Sequence, residues 1–434
     1  MKKTVSGFKK LAVVGGLVAG LAGCAALPDW FGEAEAPPLP GERISILALE
    51  KSLEPDEGLA DITVRLPAPY VNQNWPQAGG TANHVMHHLS LGEDLSEVWR
   101  VSIGEGSDDE NRLASPPVIA DGRVFAMDSE SRVRAFDQQD GTKLWAVNLT
   151  PKEEESGTVG GGLSAEYGRL FATTSYGEVF SLDPATGGMY WKTGLGVPIR
   201  AAPTIAEKHV FVVTYDSRVF ALNVKTGEIE WDFEGGVETT GLLGAASPAV
   251  ENGTVIVPFP SGELYALRAD NGQQAWSDQL KRKRSFSSLT SLADINGFPI
   301  VDRGMVFAAS YSGHMVGIDL RTGNRKWDRE ISTLQTPWIA GDFIYVITTD
   351  GELVCLSRKN GLIRWVKSLG KFEDPKEKTG LIVWSGPVLA SDRLILVSNY
   401  GIAVSVSPYD GKILGKIELS DTASIAPVVA GGML

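Results

Sequence analysis

Three of the five histidines lie within the stretch HVMHH at 84–88. Imidazole nitrogens are common zinc ligands, so His84, His87 and His88 are the first residues to consider for a metal site. The stretch precedes the repeated part of the chain, and no cysteine or Glu-x-x-His framework accompanies it. We therefore expect it on a surface segment and predict no metal site.

A second cluster, Lys281-Arg282-Lys283-Arg284, lies in the longest connection of the chain, between Trp276 and Pro299. In an acidic protein such a cluster fits either an acidic partner or lipid headgroups, or it is a solvated run of charge. The glycine-rich stretch at 152–162 lacks the Gly-Lys-Ser/Thr ending of a phosphate loop, which indicates a flexible connection. No Ser-His-Asp or Cys-His pattern stands out, so we predict no catalytic residue and no cofactor.

The N-terminus carries a targeting signal. A basic stretch leads into LAVVGGLVAGLA, an apolar run too short for a stable membrane-spanning helix. It ends in Leu21-Ala22-Gly23-Cys24, which resembles the bacterial lipobox. That resemblance implies a signal peptide at 1–23, cleavage before Cys24, and acyl chains, palmitate among them, on Cys24. Ala25 in the next position implies delivery to the outer membrane of a Gram-negative bacterium, facing the periplasm.

Cysteine usage and charge narrow the class of protein. With Cys24 acylated, Cys355 has no partner for a disulfide, and its place in a small apolar slot of the repeat predicts a buried, inert thiol. The formal net charge is −13. Nucleic-acid backbones are bound by clustered cations, so a chain this acidic is not expected to bind nucleic acid.

Two regions follow the signal. Residues 24–70 are rich in proline and acidic residues, which predicts a flexible tether between the lipid and the folded part. Residues 71–434 contain the repeats and form the predicted domain.

The repeat is easiest to see in ALNVKTGEIEW at 221–231, where a small and apolar pair precedes a polar turn with glycine, and tryptophan follows four residues after the glycine. The repeated tryptophans are Trp99, Trp145, Trp191, Trp231, Trp276, Trp327 and Trp365, and Gly415 stands in the eighth position. A large ring at one repeated position on the last strand of a unit is suited to covering the joint between neighbouring units. We therefore predict that these tryptophans are structural.

Each repeat has four short strand patterns joined by turns within about 45 residues, which is typical of a propeller blade. The count predicts an all-β fold, an eight-bladed β-propeller of four-stranded antiparallel blades. The last blade combines strands from both ends of the chain, which removes open sheet edges. The ending SIAPVVAGGML supplies only the first strand of that blade, so we expect the C-terminal strands to be incomplete.

The repeat core resembles the pyrroloquinoline-quinone-type propeller repeat. Together with the lipobox and the eight repeat positions, it makes residues 72–434 similar to the BamB family of the outer-membrane β-barrel assembly machinery. The resemblance implies a non-enzymatic scaffold that binds the periplasmic POTRA domains of BamA. It also implies work beside other subunits of the machinery, as a monomer within a hetero-complex, assisting the folding and insertion of β-barrel proteins.

The same resemblance suggests interface residues at two places. In LGVPIRAAP they are Leu195, Ile199 and Arg200, although this loop is shorter than the family pattern. At the family's Asp-x-Asp stretch they are Asp294 and Asn296, where the second acid is replaced. Both stretches connect the fourth strand of one blade to the first strand of the next, so we expect them on one face of the propeller.

The alternative class is a periplasmic quinone-dependent dehydrogenase, since the repeat type is shared. Resemblance to those enzymes implies longer chains, a vicinal disulfide over the quinone and a calcium site, and this sequence has no Cys-Cys pair. A weaker hypothesis is that exposed blade edges hold extended segments of unfolded outer-membrane proteins by strand addition.

Overall fold

The computed structural model describes residues 53–59, 62–106, 115–152, 160–236, 246–280 and 295–434. These residues form thirty β-strands and one short 3-10 helix, Glu57–Leu59. None of the described residues belongs to a helix long and apolar enough to cross a membrane.

The first four blades follow one another along the chain. Blade 1 contains β1 Val118–Ala120, β2 Arg123–Met127, β3 Arg132–Asp137 and β4 Lys143–Asn148. Blade 2 contains β5 Gly161–Glu166, β6 Arg169–Thr174, β7 Glu178–Leu182 and β8 Met189–Gly194. Blade 3 contains β9 Thr204–Ala206, β10 His209–Val213, β11 Arg218–Asn223 and β12 Ile229–Glu234. Blade 4 contains β13 Ala249–Glu251, β14 Thr254–Pro258, β15 Glu263–Arg268 and β16 Gln274–Gln279.

Three further blades complete the four-stranded sheets of the described chain. Blade 5 contains β17 Ile300–Asp302, β18 Met305–Ala309, β19 Met315–Asp319 and β20 Arg325–Arg329. Blade 6 contains β21 Trp338–Ala340, β22 Phe343–Ile347, β23 Glu352–Ser357 and β24 Ile363–Ser368. A small hairpin, β25 Phe372–Asp374 and β26 Thr379–Leu381, precedes blade 7, which contains β27 Trp384–Ala390, β28 Arg393–Ser398, β29 Ile402–Val406 and β30 Ile413–Glu418.

Every blade is an antiparallel meander in which each strand pairs with the next along the chain. The strands become more exposed in chain order: β9 and β10 are almost entirely buried, whereas β12 alternates between exposed and half-buried residues. Apolar β-branched and aromatic residues fill the first three strands because both faces of these strands are covered by neighbouring blades.

The register of each outer strand shifts at the repeated tryptophan position. In blade 3, Ala221 pairs with Trp231, and the ladder then shifts by one residue so that Leu222 pairs with Ile229. All seven blades show this bulge, and the residue opposite the tryptophan position is always small: Ala135, Ser181, Ala221, Ala266, Gly317, Cys355 and Ser405. A small residue is required because the indole ring covers it; a Cβ on Gly317 would overlap the Trp327 ring.

Each indole also joins its blade to the next one. Trp231 donates its ring N–H to the carbonyl of Ala269, in the last turn of blade 4, at 3.0 Å. The same bond joins Trp99 to Gln138, Trp145 to Pro184, Trp191 to Val224, Trp276 to Leu320, Trp327 to Arg358 and Trp365 to Pro408. The glycine of that turn has φ near +70°, and a Cβ on it would lie only 2.5–2.9 Å from the indole. The glycine therefore meets two needs, the left-handed turn and the close approach of the ring.

The eighth blade position is occupied from both ends of the chain. Trp99 contacts blade 1 as the other tryptophans contact their next blade, although no ladder strand is assigned around it. Near the C-terminus, Ala430 is buried and its carbonyl accepts a bond from Gln138, while Gly431 and Gly432 repeat the left-handed turn found after β27. The prediction of an eight-bladed propeller joined from both termini is confirmed.

Residues 70–90, which we call the central segment, contact the innermost part of every blade in turn. Trp75 exchanges two backbone hydrogen bonds with Ile119 of β1. Around the propeller, the further contacts are Pro76 to Ala165, Gln77 to Ile205, Ala82 to Val250, Asn83 to Val301, His87 to Trp338, Leu89 to Leu389, and Asn72 to Val429. The segment then closes on itself, since Tyr70 bridges to Leu89.

Side chains fill the space enclosed by the central segment. Trp75 stacks with Trp338, an inner residue of blade 6, at a ring-centroid distance of 6.2 Å. Met86 is buried against Gly80, where a Cβ would overlap its thioether. The tyrosine Tyr70 bonds the Met86 carbonyl at 3.1 Å. The axis of the propeller is therefore closed by packed side chains of the chain itself.

The compact unit begins at Leu53, earlier than the boundary at residue 71 expected from composition. Asp56 exchanges two hydrogen bonds with the backbone of Ile363 in β24, and Val64 is buried in the core. The described residues between 53 and 70 thus pack on blades and do not form part of a tether. Composition concealed this, because their contacts are made largely by backbone groups and single side chains.

Candidate partner-binding face

The loop that contains Leu195, Ile199 and Arg200 joins β8 to β9, from blade 2 to blade 3. In an antiparallel four-stranded blade, such fourth-to-first connections emerge on the same face as the turns between second and third strands. We call this the connection face. The stretch containing Asp294 and Asn296 joins β16 to β17 and belongs to the same face.

Backbone contacts hold this loop against the turns on either side of it. The Leu195 N–H bonds the Gly177 carbonyl of blade 2 at 2.7 Å. On blade 3, Ile199 forms an isolated bridge with Thr214, and the Tyr215 N–H bonds the Pro198 carbonyl at 2.9 Å. The loop is thus fixed in position before any partner arrives, which lowers the entropy cost of binding.

The three loop residues have different surroundings. Ile199 is fully buried, so its side chain anchors the loop and is not available to a partner in this structure. Leu195 is partly buried against the core between blades 2 and 3. The Arg200 guanidinium is half-buried and lies 4.1 Å from the ring centroid of Tyr215, itself 44% exposed.

Tyr215 is the surface residue that the sequence analysis missed. It occupies the turn between β10 and β11, and tyrosines occupy the same kind of turn in blades 2, 5 and 7: Tyr176, Tyr311 and Tyr400. That recurrence on a single face was a usable signal. Tyrosine and arginine are the side chains that most often dominate protein interfaces.

The structure describes only part of the second predicted interface stretch, which contains Asp294 and Asn296. Asp294 and the cluster 281–284 lie outside the described residues. Asn296 is half-buried, and its buried carbonyl oxygen has no hydrogen-bond partner among the described residues. Blades 3 and 4 lie between the Arg200 loop and the connection that contains Asn296.

The histidine cluster is not on the surface, contrary to the expectation above. His84 and His88 are buried in the central segment. His84 donates from Nδ1 to the Pro299 carbonyl at 2.7 Å, and burial lowers the pKa of His84 to about 4. His88 uses both ring nitrogens, one toward the Pro67 carbonyl and one toward the Asp392 N–H. His87 lies 3.8 Å from Asp302, and its pKa is lowered chiefly by burial.

These histidines point to separate partners, and the described residues contain no group of three metal-ligating side chains. Cys355, the remaining thiol, is buried beneath Trp365, and burial raises its pKa. The residues that stood out in the sequence for their chemistry therefore have structural surroundings. The half-buried Arg200 and the exposed Tyr215 are better placed for recognition.

Comparison with known proteins decides the family. The family described as "Outer membrane protein assembly factor BamB" matches residues 129–367, more than half of the chain. The chain belongs to the BamB family. Relatives named BamB are 25% identical in Yersinia pestis and 24% identical in Escherichia coli K12, over 78% and 77% of this chain and 85% and 84% of theirs.

Solved structures agree on the fold. BamB from Moraxella catarrhalis superposes with a TM-score of 0.63 at 22% identity, over 76% of this chain and 94% of that one. A europium-containing methanol dehydrogenase also reaches a TM-score of 0.63, at 16% identity, over 82% and 87% of the two chains. The propeller is therefore common to members of the BamB family and to dehydrogenases, and the fold by itself does not separate the two functions.

Proposed function

We propose that this protein is a non-enzymatic scaffold of the outer-membrane protein assembly machinery. It belongs to a family whose members are named assembly factors, and it retains the blade architecture through the whole described domain. In this role it binds the POTRA domains of BamA and supports the folding and insertion of β-barrel proteins.

The closed axis of the propeller is the observation that supports a non-enzymatic role. Trp75, Trp338 and Met86 pack together where the blades converge, and the central segment bonds every blade position around them. A cofactor or small substrate bound along the axis would have to displace this packing, which costs several kcal/mol for a buried aromatic side chain. The dehydrogenase alternative is therefore disfavoured.

The proposed docking site for BamA is the connection face around Arg200 and Tyr215. A fixed loop, an arginine stacked on an exposed tyrosine and the half-buried Leu195 beside them form a small apolar centre with a charge. This combination is typical of interface hot spots. The machinery's other subunits are expected around the same complex.

Anchoring completes the proposal. Residues 1–23 act as the signal peptide, Cys24 carries the acyl chains, and the following stretch spans from the outer membrane to the packed domain on the periplasmic side. Two or three acyl chains suffice for stable attachment, whereas a single chain is marginal. A variant in which residues 1–24 are replaced by a cleavable signal peptide without a lipobox should be recovered in the soluble periplasmic fraction.

Photo-crosslinking in the native outer membrane tests partner and face together. A photoreactive phenylalanine analogue replaces Tyr215 on the connection face or, as the matched control, Tyr167, which is 52% exposed in the β5–β6 turn on the opposite face. We expect a BamA adduct from position 215 only. An adduct from 167 alone would overturn the assignment of the face, and the absence of a BamA adduct at both would overturn the partner.

A further inference from the structure

The outer edge of blade 6 already holds a short acidic segment, residues 53–59 of the chain, which ends in the 3-10 helix Glu57–Leu59. The Asp56 N–H donates to the Ile363 carbonyl at 2.9 Å, and the Asp56 carboxylate accepts the Ile363 N–H at 2.7 Å. Arg329 of blade 5 approaches the same carboxylate at 3.5 Å. With this segment in place, Ile363 is only 5% exposed, and Leu59 is buried as well.

The surface that holds this segment, which we call the seat, consists of an isoleucine and a cation on the preceding blade. Blade 7 repeats the apolar part of the seat, and no segment of the described chain covers it there. Ile413 stands in β30 where Ile363 stands in β24, since each follows the bulge in the same register, opposite Val406 and Leu356 respectively. Ile413 is 50% exposed, ten times the fraction of Ile363. Leu414 of the same strand is 54% exposed.

The charge at this edge also matches the seat on blade 6. Arg329 and Lys367 each stand two residues after the repeated tryptophan of their blade. Arg329 of blade 5 therefore precedes Ile363 of blade 6 as Lys367 of blade 6 precedes Ile413 of blade 7. Lys416 adds an exposed cation on β30. A basic and apolar strip on a protein of net charge −13 favours an acidic ligand.

Blade 3 has an isoleucine at the same position but lacks the preceding cation. Ile229 occupies the equivalent position and is 46% exposed. It is flanked by Glu228 and Glu230, and the place of the cation is taken by Thr193, which bonds the Gly227 carbonyl at 2.7 Å. Blade 3 therefore has the exposed isoleucine without the preceding cation that blades 6 and 7 share.

We propose that the outer edge of blade 7, formed by Ile413 and Leu414 together with Lys367 of blade 6, binds a short acidic segment of a partner protein. The ligand carries a Leu-x-x-Asp sequence. Its carboxylate faces Lys367 and the backbone of β30, and its apolar side chains cover Ile413. This surface lies on the rim of the propeller and is independent of the connection face.

The peptide LEPDEGL, residues 53–59 of this chain, is the probe, because its bound form is visible on blade 6. Labelled peptide is titrated into the full domain and followed by fluorescence anisotropy. We expect saturable binding that weakens about tenfold with Ile413→Asp and about tenfold with Lys367→Glu, since each removes one of the two contacts that define the seat. A peptide with asparagine in place of its aspartate should weaken to a similar extent.

The matched control is Ile229→Asp, an equivalent substitution on blade 3, which should leave the affinity unchanged. Thermal unfolding of every variant shows whether the blade remains intact. The peptide could instead replace residues 53–59 on blade 6, and Arg329→Ala tests this because Arg329 contacts Asp56 there. If Arg329→Ala weakens binding and Ile413→Asp does not, the proposal is overturned. It is equally overturned if wild-type protein shows no saturation up to about 1 mM peptide, the limit of weak specific association.

Discussion

The central segment and the loop at 195–200 are both non-repeating pieces of chain placed on the same repeated blades, and they are built in opposite ways. The central segment buries Trp75, His84 and Leu89 and directs its hydrogen bonds outward to the surrounding blades. The loop buries only its anchor, Ile199, and leaves Arg200 with Tyr215 at the surface. The same repeated blades thus support one piece that is mostly buried and one whose polar side chains reach the surface.

This difference predicts that substitutions in the two regions have separable effects. Changes in the central segment should lower the free energy of unfolding, and changes at the loop should alter partner binding with little effect on unfolding. The variants below follow in order of expected effect.

Trp75→Ala should have the largest effect. It removes a buried indole that stacks on Trp338 and leaves a cavity at the axis, which typically costs about 3–5 kcal/mol. Chemical denaturation of the domain measures the loss. Tyr167→Ala, at an exposed turn, should change stability by less than about 0.5 kcal/mol. Equal losses in the two variants would show that the central segment does not stabilise the propeller.

The buried histidine should give the next largest effect, through pH. The folded-state pKa of His84 is about 4, below its ordinary value of 6.5, so the unfolded chain takes up the proton first. The neutral ring's contribution is therefore complete above pH 6.5 and is lost as the pH falls toward 4, amounting to about 3 kcal/mol over that interval.

Denaturation of wild type and His84→Asn between pH 7 and pH 4 measures this contribution. Asparagine keeps a donor for the Pro299 carbonyl and does not titrate, so the variant should lose less stability on acidification. Parallel losses in the two proteins would assign the acid sensitivity to other groups.

The two regions also differ in how far the sequence predicts them. The blades were predictable because each one repeats the same physical requirements: a glycine turn, a small residue beneath an indole and buried apolar strands. The central segment was not, because its residues bond eight different blade positions and leave no periodic pattern. His84 and His88 attracted attention as ligands, yet nothing local to HVMHH reveals that their partners are Pro299 and Asp392.

The interface candidates were only partly predictable from the sequence, because their burial depends on contacts between separate parts of the chain. Resemblance led to Arg200, but burial of Ile199 depends on how the loop pairs with Thr214, which is a three-dimensional fact. Tyr215 could have been found, since tyrosine recurs in the turns of the connection face.

Arg200→Ala should weaken binding of the POTRA domains by about 2 kcal/mol, the size of an interface hot spot. The stability loss should stay below about 1 kcal/mol, because a cation–π contact at an exposed site contributes little to folding. Isothermal titration with purified POTRA domains and parallel unfolding curves give both numbers. A variant that unfolds readily but binds normally would place Arg200 in the same structural role as the central segment.

Asp56→Ala should have the smallest effect, and it decides where the structural part of the chain begins. The carboxylate is partly exposed and makes one backbone bond and one ion pair, so about 1 kcal/mol is expected. Amide hydrogen exchange is the sharper measurement, because the Ile363 N–H should lose its protection when its acceptor is removed. Glu54→Ala, an exposed neighbour in the same segment, should leave that amide protected. Unchanged protection in Asp56→Ala would mean that residues 53–59 rest on blade 6 without stabilising it.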